Sequence, residues 1–290
     1  MTQGIRLASE DLEIEVWPLG ARLNGVWFQG IGTLVDGAAS EEEALEAKKY
    51  NGAVVGPVAN RIAGAQATIE GRECRFEANE NEVTTLHAGA AGVHARTWQI
   101  ETQDEQSLKL SLDLADGDGG FPGTRHLSVT YLVSASTLQV QFEATTDAPT
   151  WINLALHPYW SLGAARKSLL LQVAADRYTP VNELKIPTGD IDAVDGTIFD
   201  FRTLGAPSSD IDHNFVLSGQ NPAVVLASPE LRLEIETDAP GVQIYSGKDI
   251  GIAIEPQHFP DAMHHPHFPS IALYPNETYR QTSTYRFLKP

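Results

Sequence analysis

Apolar and polar residues alternate along several stretches of the chain. Residues 12–16 read LEIEV, residues 108–114 read LKLSLDL and residues 231–235 read LRLEI, so every second side chain is apolar. After the turn DAPG at 238–241, residues 242–244 continue the same spacing. Because successive side chains of a strand point to opposite faces, this period of two predicts half-buried antiparallel strands.

A hairpin is predicted in the middle of the chain. Residues 127–131 read LSVTY and residues 138–142 read LQVQF, and the short segment SAST at 134–137 joins them. Other connections are rich in Gly, Asp and Asn, which suit tight turns between strands. No repeat or shift of composition marks a linker. The pattern therefore predicts an all-β fold, a large antiparallel β-sandwich in which residues 1–290 form a single domain.

One segment has a helical pattern instead. Residues 40–49 read SEEEALEAKK, and Ser40 is followed three residues later by Glu43, which makes a capping box. Acidic residues lead the segment and lysines end it, as the helix dipole favours. We expect a helix over 40–49, and at most one or two short helices in the whole protein.

Composition and charge limit the kinds of molecule that the protein is expected to bind. Of the 290 residues 42% are hydrophobic, and the formal net charge is −18. Such a charge repels nucleic acid and anionic lipid, and it weighs against a phosphorylated substrate. Cys74 is the only cysteine, so an internal disulfide and a zinc site built from thiolates are excluded. With neither a secretory signal nor an apolar run of about 18 residues, a soluble cytoplasmic protein is expected.

Four of the nine histidines lie in residues 254–269, which read IEPQHFPDAMHHPHFP. The prolines prevent a helix, so the paired ligands of an HExxH zinc site cannot form. On an extended segment His265 and His267 share one face while His264 points the other way. We therefore predict no metal site here and interpret His258, His264, His265 and His267 as positions on a proline-shaped surface loop.

Two residues combine reactive side chains with buried surroundings. Glu255 follows the apolar run 251–254, and burial at the end of a strand raises the pKa of a carboxylate towards that of a general base. The alternative is an ordinary acid at a strand end. His157 precedes Tyr159 and Trp160. It is either a core histidine or a proton donor beside a sugar ring, because aromatic faces pack well on the C–H side of sugars.

Three further polar residues stand where a ligand could be contacted. His87 opens a loop that contains glycines, where backbone can approach a ligand closely. Arg61 follows an apolar run, and Asp212 lies in the polar segment SSDIDHNF, which we interpret as a loop. Each of these signals is weak when taken alone.

Seven segments of the chain, taken in order, form a series that resembles the motifs of one known family. They are GPVANRIAG, TLHAGAAGVHARTWQ, DGGFPGTRHLSVTYLV, NLALHPYWSLG, RYTPVNELKIPTGDIDAVDGTIFDFR, IDHNFVL and IEPQHFPDAMHHPHFPSIALYPNETY. The series is similar to the aldose 1-epimerase, or galactose mutarotase, family. The fold of that family, the galactose mutarotase-like supersandwich, is a large antiparallel β-sandwich, as the alternation of residues also predicts.

The resemblance implies a role for each matching position. Glu255 corresponds to the family's catalytic base and His157 to its acid. No cofactor or metal is implied, and the partner is a free monosaccharide such as glucose or galactose, bound by a monomer or homodimer. Six residues are implied to bind the sugar: Asn60, Arg61, His87, Asp212, Tyr159 and Gln257.

The chain also departs from the family pattern. Pro57 stands where the family has an arginine, and Trp160 stands where it has a phenylalanine. We expect the tryptophan to reshape the sugar pocket. Two alternatives stay open: a hexose-6-phosphate 1-epimerase, which needs basic residues for the phosphate, and a non-catalytic sugar-binding module on the same fold.

Overall fold

The computed structural model describes residues 4–208 and 211–290, and antiparallel strands dominate it. In chain order the strands of the first half are β1 Ile5–Ala8, β2 Leu12–Trp17, β3 Arg22–Phe28, β4 Val54–Val55, β5 Arg61–Ile62, β6 Gln66–Ile69, β7 Arg72–Arg75, β8 Thr85–Leu86, β9 Gln99–Gln103, β10 Ser107–Leu114, β11 Arg125–Ser134 and β12 Thr137–Thr146. Those of the second half are β13 Thr150–Trp151, β14 Ala155–Leu156, β15 Tyr159–Trp160, β16 Leu170–Val173, β17 Arg177–Thr179, β18 Asp192–Ala193, β19 Asp212–Val216, β20 Val224–Ala227, β21 Arg232–Thr237, β22 Gly241–Tyr245, β23 Ile252–Gln257, β24 Ala272–Leu273 and β25 Tyr279–Leu288.

Two large sheets organise these strands. One has eight strands in the order β16-β20-β21-β25-β12-β11-β10-β9, and the other has six in the order β15-β23-β22-β19-β17-β18. Neighbouring strands in both sheets are antiparallel. A three-stranded sheet, β1-β2-β3, and four two-stranded pairs complete the described part. The predicted all-β antiparallel class is confirmed.

The two large sheets pack face to face through aromatic side chains. Trp160 of β15 lies with its ring centroid 5.5 Å from that of Tyr285 and 5.8 Å from that of Phe287, both on β25. All three are almost fully buried, and the surrounding hydrophobic cluster includes residues from Ile5 to Phe287. The expectation that Trp160 reshapes a sugar pocket is therefore wrong, because its side chain faces the core between the sheets.

Most of the predicted strands are present in the structure, but two that are close in sequence lie in different sheets. Residues 12–16 lie in β2, residues 108–114 in β10, and the predicted hairpin is formed by β11 and β12. Residues 231–235 and 242–244, however, belong to different sheets, since β21 pairs with β20 and β25 while β22 pairs with β19 and β23. The first four residues of β22 are buried, so this strand is covered on both faces.

The only α-helix of the described residues is shorter than the sequence predicts. It runs over Glu41–Leu45, and the Ser40 hydroxyl accepts a hydrogen bond from the Glu43 N–H, so the predicted cap is confirmed. The backbone of Glu46 is no longer helical, with φ −115° and ψ −94°. Six single 3₁₀ turns also occur, at Ala63–Ala65, Gly89–Ala91, Val93–Ala95, Asp118–Gly120, Arg166–Ser168 and Ala262–His264. None of the described helices is long and apolar enough to cross a membrane.

A buried arginine explains why the helix stops early. The Arg22 guanidinium, fully buried on β3, donates hydrogen bonds to the carbonyl oxygens of Ala44 at 2.8 Å, Lys48 at 2.9 Å and Lys49 at 3.0 Å, and also to that of Asn51. Burial lowers the pKa of Arg22 to about 10, so it stays charged at neutral pH. Segment 44–51 therefore wraps around the guanidinium instead of continuing as a helix.

Replacing Arg22 with methionine is expected to lower the free energy of unfolding by about 2–4 kcal/mol, because carbonyl groups then lose their buried donors. Urea denaturation measures this change. Arg22→Lys should recover part of the loss, since an ammonium offers fewer donors than a guanidinium. Arg6→Met is the control, because Arg6 is exposed and forms surface ion pairs. Equal stability of Arg22→Met and Arg6→Met would contradict the assignment.

Candidate active site

The outer face of the six-stranded sheet carries the candidate site. Along β23 the side chains of Ile252 and Ile254 enter the hydrophobic core, and the intervening positions point the other way. Glu255 therefore projects from the outer face while its strand is anchored in the core. It lies inside β23, not at its end as the sequence suggested, and its side chain is 2% exposed.

Neighbouring strands place polar side chains beside Glu255. Gln243 of β22 stands opposite Glu255 in the ladder, and Asp212 of β19 stands opposite Tyr245. The Gln243 amide donates a 2.7 Å hydrogen bond to an Asp212 carboxylate oxygen, Oδ1. Asp212 is the first residue of a strand, so the loop predicted for it is wrong, and strand pairing fixes its position.

Segments from both halves of the chain line a cavity of about 320 Å³ on this face. His87 follows β8, Asn60 precedes β5, and His157 connects β14 with β15. The Tyr50 ring lies 4.6 Å from the His87 ring and 6.1 Å from the His157 ring, measured between centroids. The volume is at the lower end of the ~300–1,000 Å³ typical of small-molecule sites.

His157 and Glu255 form a buried pair at the cavity floor. Nε2 of His157 lies 3.4 Å from Oε1 of Glu255, and Oε2 of Glu255 has no hydrogen-bond partner among the described residues. Burial, with a contribution from Asp212, raises the pKa of Glu255 well above its usual value. Burial lowers the pKa of His157 to about 4. Each group is therefore held in its uncharged form, with the proton of the pair on the carboxyl group.

His87 is held as a hydrogen-bond donor towards the cavity. The backbone N–H of Asn60 donates to Nδ1 of His87 at 3.0 Å, so the neutral ring carries its proton on Nε2. Both residues have left-handed backbone, with φ of 64° for Asn60 and 51° for His87. Residues other than glycine rarely adopt this conformation, and such strain concentrates at functional sites.

The same hydrogen bond bears on whether this site could hold a metal. Donor atoms of His87, His157 and Glu255 lie within 4.8 Å of one another. Because Nε2 of His87 carries the ring proton, it has no lone pair for a metal, and only two ligands remain. Catalytic zinc usually has three protein ligands, so this donor set fits hydrogen bonding to a small molecule better than it fits a metal.

Arg61 is surrounded by carboxylates. Its guanidinium contacts Glu80 at 2.7 and 2.9 Å and Asp212 at 3.3 Å. These two acids raise the pKa of Arg61 despite its burial. Its charge is thus neutralised within the protein, and the network fixes both the arginine and Asp212.

Comparisons with known proteins agree with this architecture. A profile of the family described as aldose 1-epimerase matches residues 3–286. The chain belongs to the aldose 1-epimerase family. Mouse galactose mutarotase is 33% identical over 97% of this chain and 93% of the relative, and Escherichia coli aldose 1-epimerase is 31% identical over 87% and 84%. The crystal structure of an aldose epimerase homologue from C. elegans superposes with a TM-score of 0.94 at 27% identity, covering 100% of this chain and 99% of the other.

The fold of this aldose 1-epimerase family member brings together most of the residues that the sequence singled out. Seven of the eight line the cavity: Asn60, Arg61, His87, His157, Tyr159, Asp212 and Glu255. Gln257 is the exception. It is fully buried beyond the cavity, and its amide nitrogen bonds the carbonyl oxygen of His258 at 3.2 Å, so the structure does not place it against a ligand.

Sequence reasoning missed several residues of the site. Tyr50 and Lys248 line the cavity, while Glu80 and Gln243 hold Arg61 and Asp212 in place. Glu80 lies in the acidic run EANENE at 77–82, where nothing distinguishes it from its neighbours. Gln243 lies between Val242 and Ile244 in the alternating pattern of β22. The pattern shows that its side chain points to the face opposite theirs, but it does not show which residue that side chain contacts.

The histidines of the proline-containing loop stay outside the cavity. His264 and His267 are exposed, and they bond Asp261 and the Gly189 carbonyl oxygen, each at 2.7 Å. His258 and His265 are half-buried. Within residues 254–269, Glu255 lines the cavity and these four histidines do not.

Buried neutral histidines should make the fold sensitive to acid. Burial lowers the pKa of His94 to about 3 and that of His157 to about 4, and it lowers the pKa of His87 well below its usual value. The unfolded chain takes up protons on these rings near pH 6.5, whereas the folded chain does not. Glu255 has the opposite effect on the pH dependence of stability, because its raised pKa keeps a proton on the folded chain that the unfolded chain has lost.

Burial also lowers the pKa of His213 to about 4, so four rings take up protons on unfolding. We therefore expect the free energy of unfolding to fall by about 3–4 kcal/mol per pH unit between pH 6 and 5, from about three net protons. His94→Phe should reduce this slope by about 1.4 kcal/mol per pH unit. Urea titrations at pH 7.5, 6.0, 5.5 and 5.0 measure it. Tyr50→Phe, in contact with His94, is the control that alters packing but not the slope. An unchanged slope in His94→Phe would refute the explanation.

Proposed function

We propose that this protein is an aldose 1-epimerase that interconverts the α and β anomers of a free aldose, with Glu255 as the base and His157 as the acid. The observation that carries the proposal is the buried pair itself. Oε2 of Glu255 has no hydrogen-bond partner among the described residues, and Nε2 of His157 lies 3.4 Å from the other oxygen of the same carboxyl group. Both residues line a cavity of a size that suits a small molecule. The names of the relatives support the same reaction class.

The reaction moves one proton in each direction. Glu255 removes the proton of the C1 hydroxyl while His157 gives a proton to the ring oxygen, and the bond between C1 and that oxygen breaks. Rotation about the C1–C2 bond turns the aldehyde over. The ring hydroxyl then attacks the other face of C1, His157 recovers its proton, and Glu255 protonates the new C1 oxygen.

Burial places the proton of the pair on Glu255, so the closed sugar meets a protonated carboxyl group and a neutral imidazole. Transfer of that proton to His157, across the 3.4 Å contact, gives the charged pair that starts the reaction. Ring opening then returns Glu255 and His157 to their uncharged forms. Formation of the open-chain intermediate therefore removes a separation of charge that burial disfavours.

The remaining residues orient the sugar. Nε2–H of His87 donates to the ring oxygen or to a neighbouring hydroxyl, and Asp212 accepts hydrogen bonds from hydroxyl groups. Arg61 and Asn60 keep these two groups in place through the contacts described above. Tyr159 offers an aromatic face 5.2 Å from the His157 ring.

Gln257, at the end of β23, is proposed only to support the site. No resident cofactor is needed for this chemistry, because only protons move.

We also propose that residues 1–290 form a single domain, since one hydrophobic cluster includes residues from both ends of the described chain. The protein is proposed to act in the cytoplasm on a monosaccharide, as a monomer or homodimer. The buried free thiol of Cys74 suits a reducing compartment.

Polarimetry of freshly dissolved α-glucose, α-galactose and α-arabinose tests the proposed function directly. The enzyme should accelerate the approach to the equilibrium rotation above the spontaneous rate for at least one sugar, equally with and without a chelator. Saturable binding of sugars by calorimetry without any acceleration would overturn the proposal and favour the sugar-binding module.

A further inference from the structure

Two lysines line the cavity that contains His157. Lys49 lies with its ammonium nitrogen 4.8 Å from the centroid of the Tyr50 ring, and Lys248 lies with its own 4.9 Å from that of the Tyr159 ring. Both tyrosine rings neighbour His157, so the two positive charges lie near the buried Glu255–His157 pair.

Neither ammonium group forms an ion pair. Within the described residues, no carboxylate lies within 4 Å of the nitrogen of Lys49 or Lys248. Other cations near the cavity are paired: Arg61 contacts Glu80 at 2.7 Å, and Lys48 contacts Asp36 at 3.0 Å. Asp36 also acts on Lys248 over a longer distance, but its carboxylate is already paired with Lys48.

The location of these charges points to a ligand. Lys248 is half-buried, and burial lowers its pKa, so a counter-charge from a ligand would stabilise it. A neutral sugar offers hydroxyl groups but no such charge. An anionic substituent would gain a charge-assisted hydrogen bond from the ammonium group, which is stronger than a bond between neutral groups. Arg61 is not available for this purpose, because two carboxylates already occupy its guanidinium.

Resting on the proposed function, we propose that Lys248, assisted by Lys49, binds an anionic group carried by the sugar, so that acidic aldoses are the preferred substrates. The shared chemistry is a carboxylate, as in a hexuronate, or a phosphate ester. An ammonium group binds either anion as a compact point charge, so the experiment below compares the two acids directly. The acidic end of the sugar faces the lysines, and its C1 end faces Glu255.

The test compares kcat/KM for glucose, glucuronate and glucose 6-phosphate in wild type, Lys248→Met, Lys49→Met and Lys167→Met. The ratio of an acidic sugar to glucose should fall about tenfold in Lys248→Met, as expected for loss of one charge-assisted hydrogen bond. It should fall about two- to threefold in Lys49→Met, because that lysine is exposed. Lys167→Met changes the net charge equally at an exposed position outside the cavity and should leave the ratio unchanged.

The outcomes separate this inference from the proposed function. A ratio for glucuronate or for glucose 6-phosphate that depends on Lys248 supports the inference, and the sugar concerned identifies the anion. Turnover of glucose with ratios equal in wild type and Lys248→Met overturns it while the epimerase activity stands. Calorimetric binding of glucuronate and glucose 6-phosphate gives a second readout that needs no catalysis, and affinities for both acids unaffected by Lys248→Met would also overturn the inference.

Discussion

Glu255→Gln is expected to lower kcat by about 10²–10⁴-fold, because the amide cannot accept the proton of the C1 hydroxyl. The substitution keeps the size and shape of the side chain inside β23, so KM should change little. Polarimetry, with the spontaneous rate subtracted, measures the loss. A variant that keeps kcat within threefold of wild type would remove Glu255 from the role of base.

The fold of Glu255→Gln should be intact or more stable. Burial of the wild-type carboxyl group at neutral pH requires the uptake of a proton on folding, which costs free energy that a neutral amide avoids. Urea denaturation should therefore give a midpoint equal to or above that of wild type. Glu230→Gln, at an exposed position, is the matched control and should keep both activity and stability. Loss of activity together with loss of stability would point to a structural role instead.

The sequence was sufficient for the class of fold and for choosing the proposed catalytic pair. Alternation predicts strands because a pleated sheet buried on one face requires it, and β10, β11 and β12 follow this rule. Glu255 and His157 were recognised from their motifs. What brings them to within 3.4 Å is the pairing of β15 with β23, which no local pattern encodes.

The errors have identifiable physical causes. Residues 40–49 have a helical pattern, but the carbonyl groups of segment 44–51 find a stronger partner in the Arg22 guanidinium from a distant strand. Trp160 matches a motif residue close to His157, yet alternation on β15 directs it to the core while Tyr159 faces the cavity. Both outcomes depend on contacts between residues far apart in the sequence.

Glu80 and Gln243 show a different limit. Their function is to hold Arg61 and Asp212, which are separated by 151 positions in the chain. Such contacts are set by tertiary structure, so an acidic residue in a polar run gives no sign of its partner. The same reasoning applies to Lys248, whose importance becomes visible only when the paired charges of the surrounding residues are known.

His157→Gln is expected to lower kcat by about 10²–10⁴-fold and to change the shape of the pH profile. In wild type the active form of the Glu255–His157 pair holds one proton. Activity should fall at acid pH, when a second proton enters with a pKa of about 4. It should fall again at alkaline pH, when the pair loses its last proton, and a plateau lies between the two limbs.

Without the imidazole, only Glu255 titrates in the pair. Its carboxylate form is the base, so the residual activity of His157→Gln should rise with pH through the raised pKa of Glu255 and then level off. The alkaline limb of wild type should be absent, because no acid remains to be lost. His267→Gln, in the exposed loop, controls for the loss of a histidine and should keep the wild-type profile. A bell-shaped profile that survives in His157→Gln would mean that another group donates the proton to the ring oxygen, with Nε2 of His87 the nearest candidate by geometry.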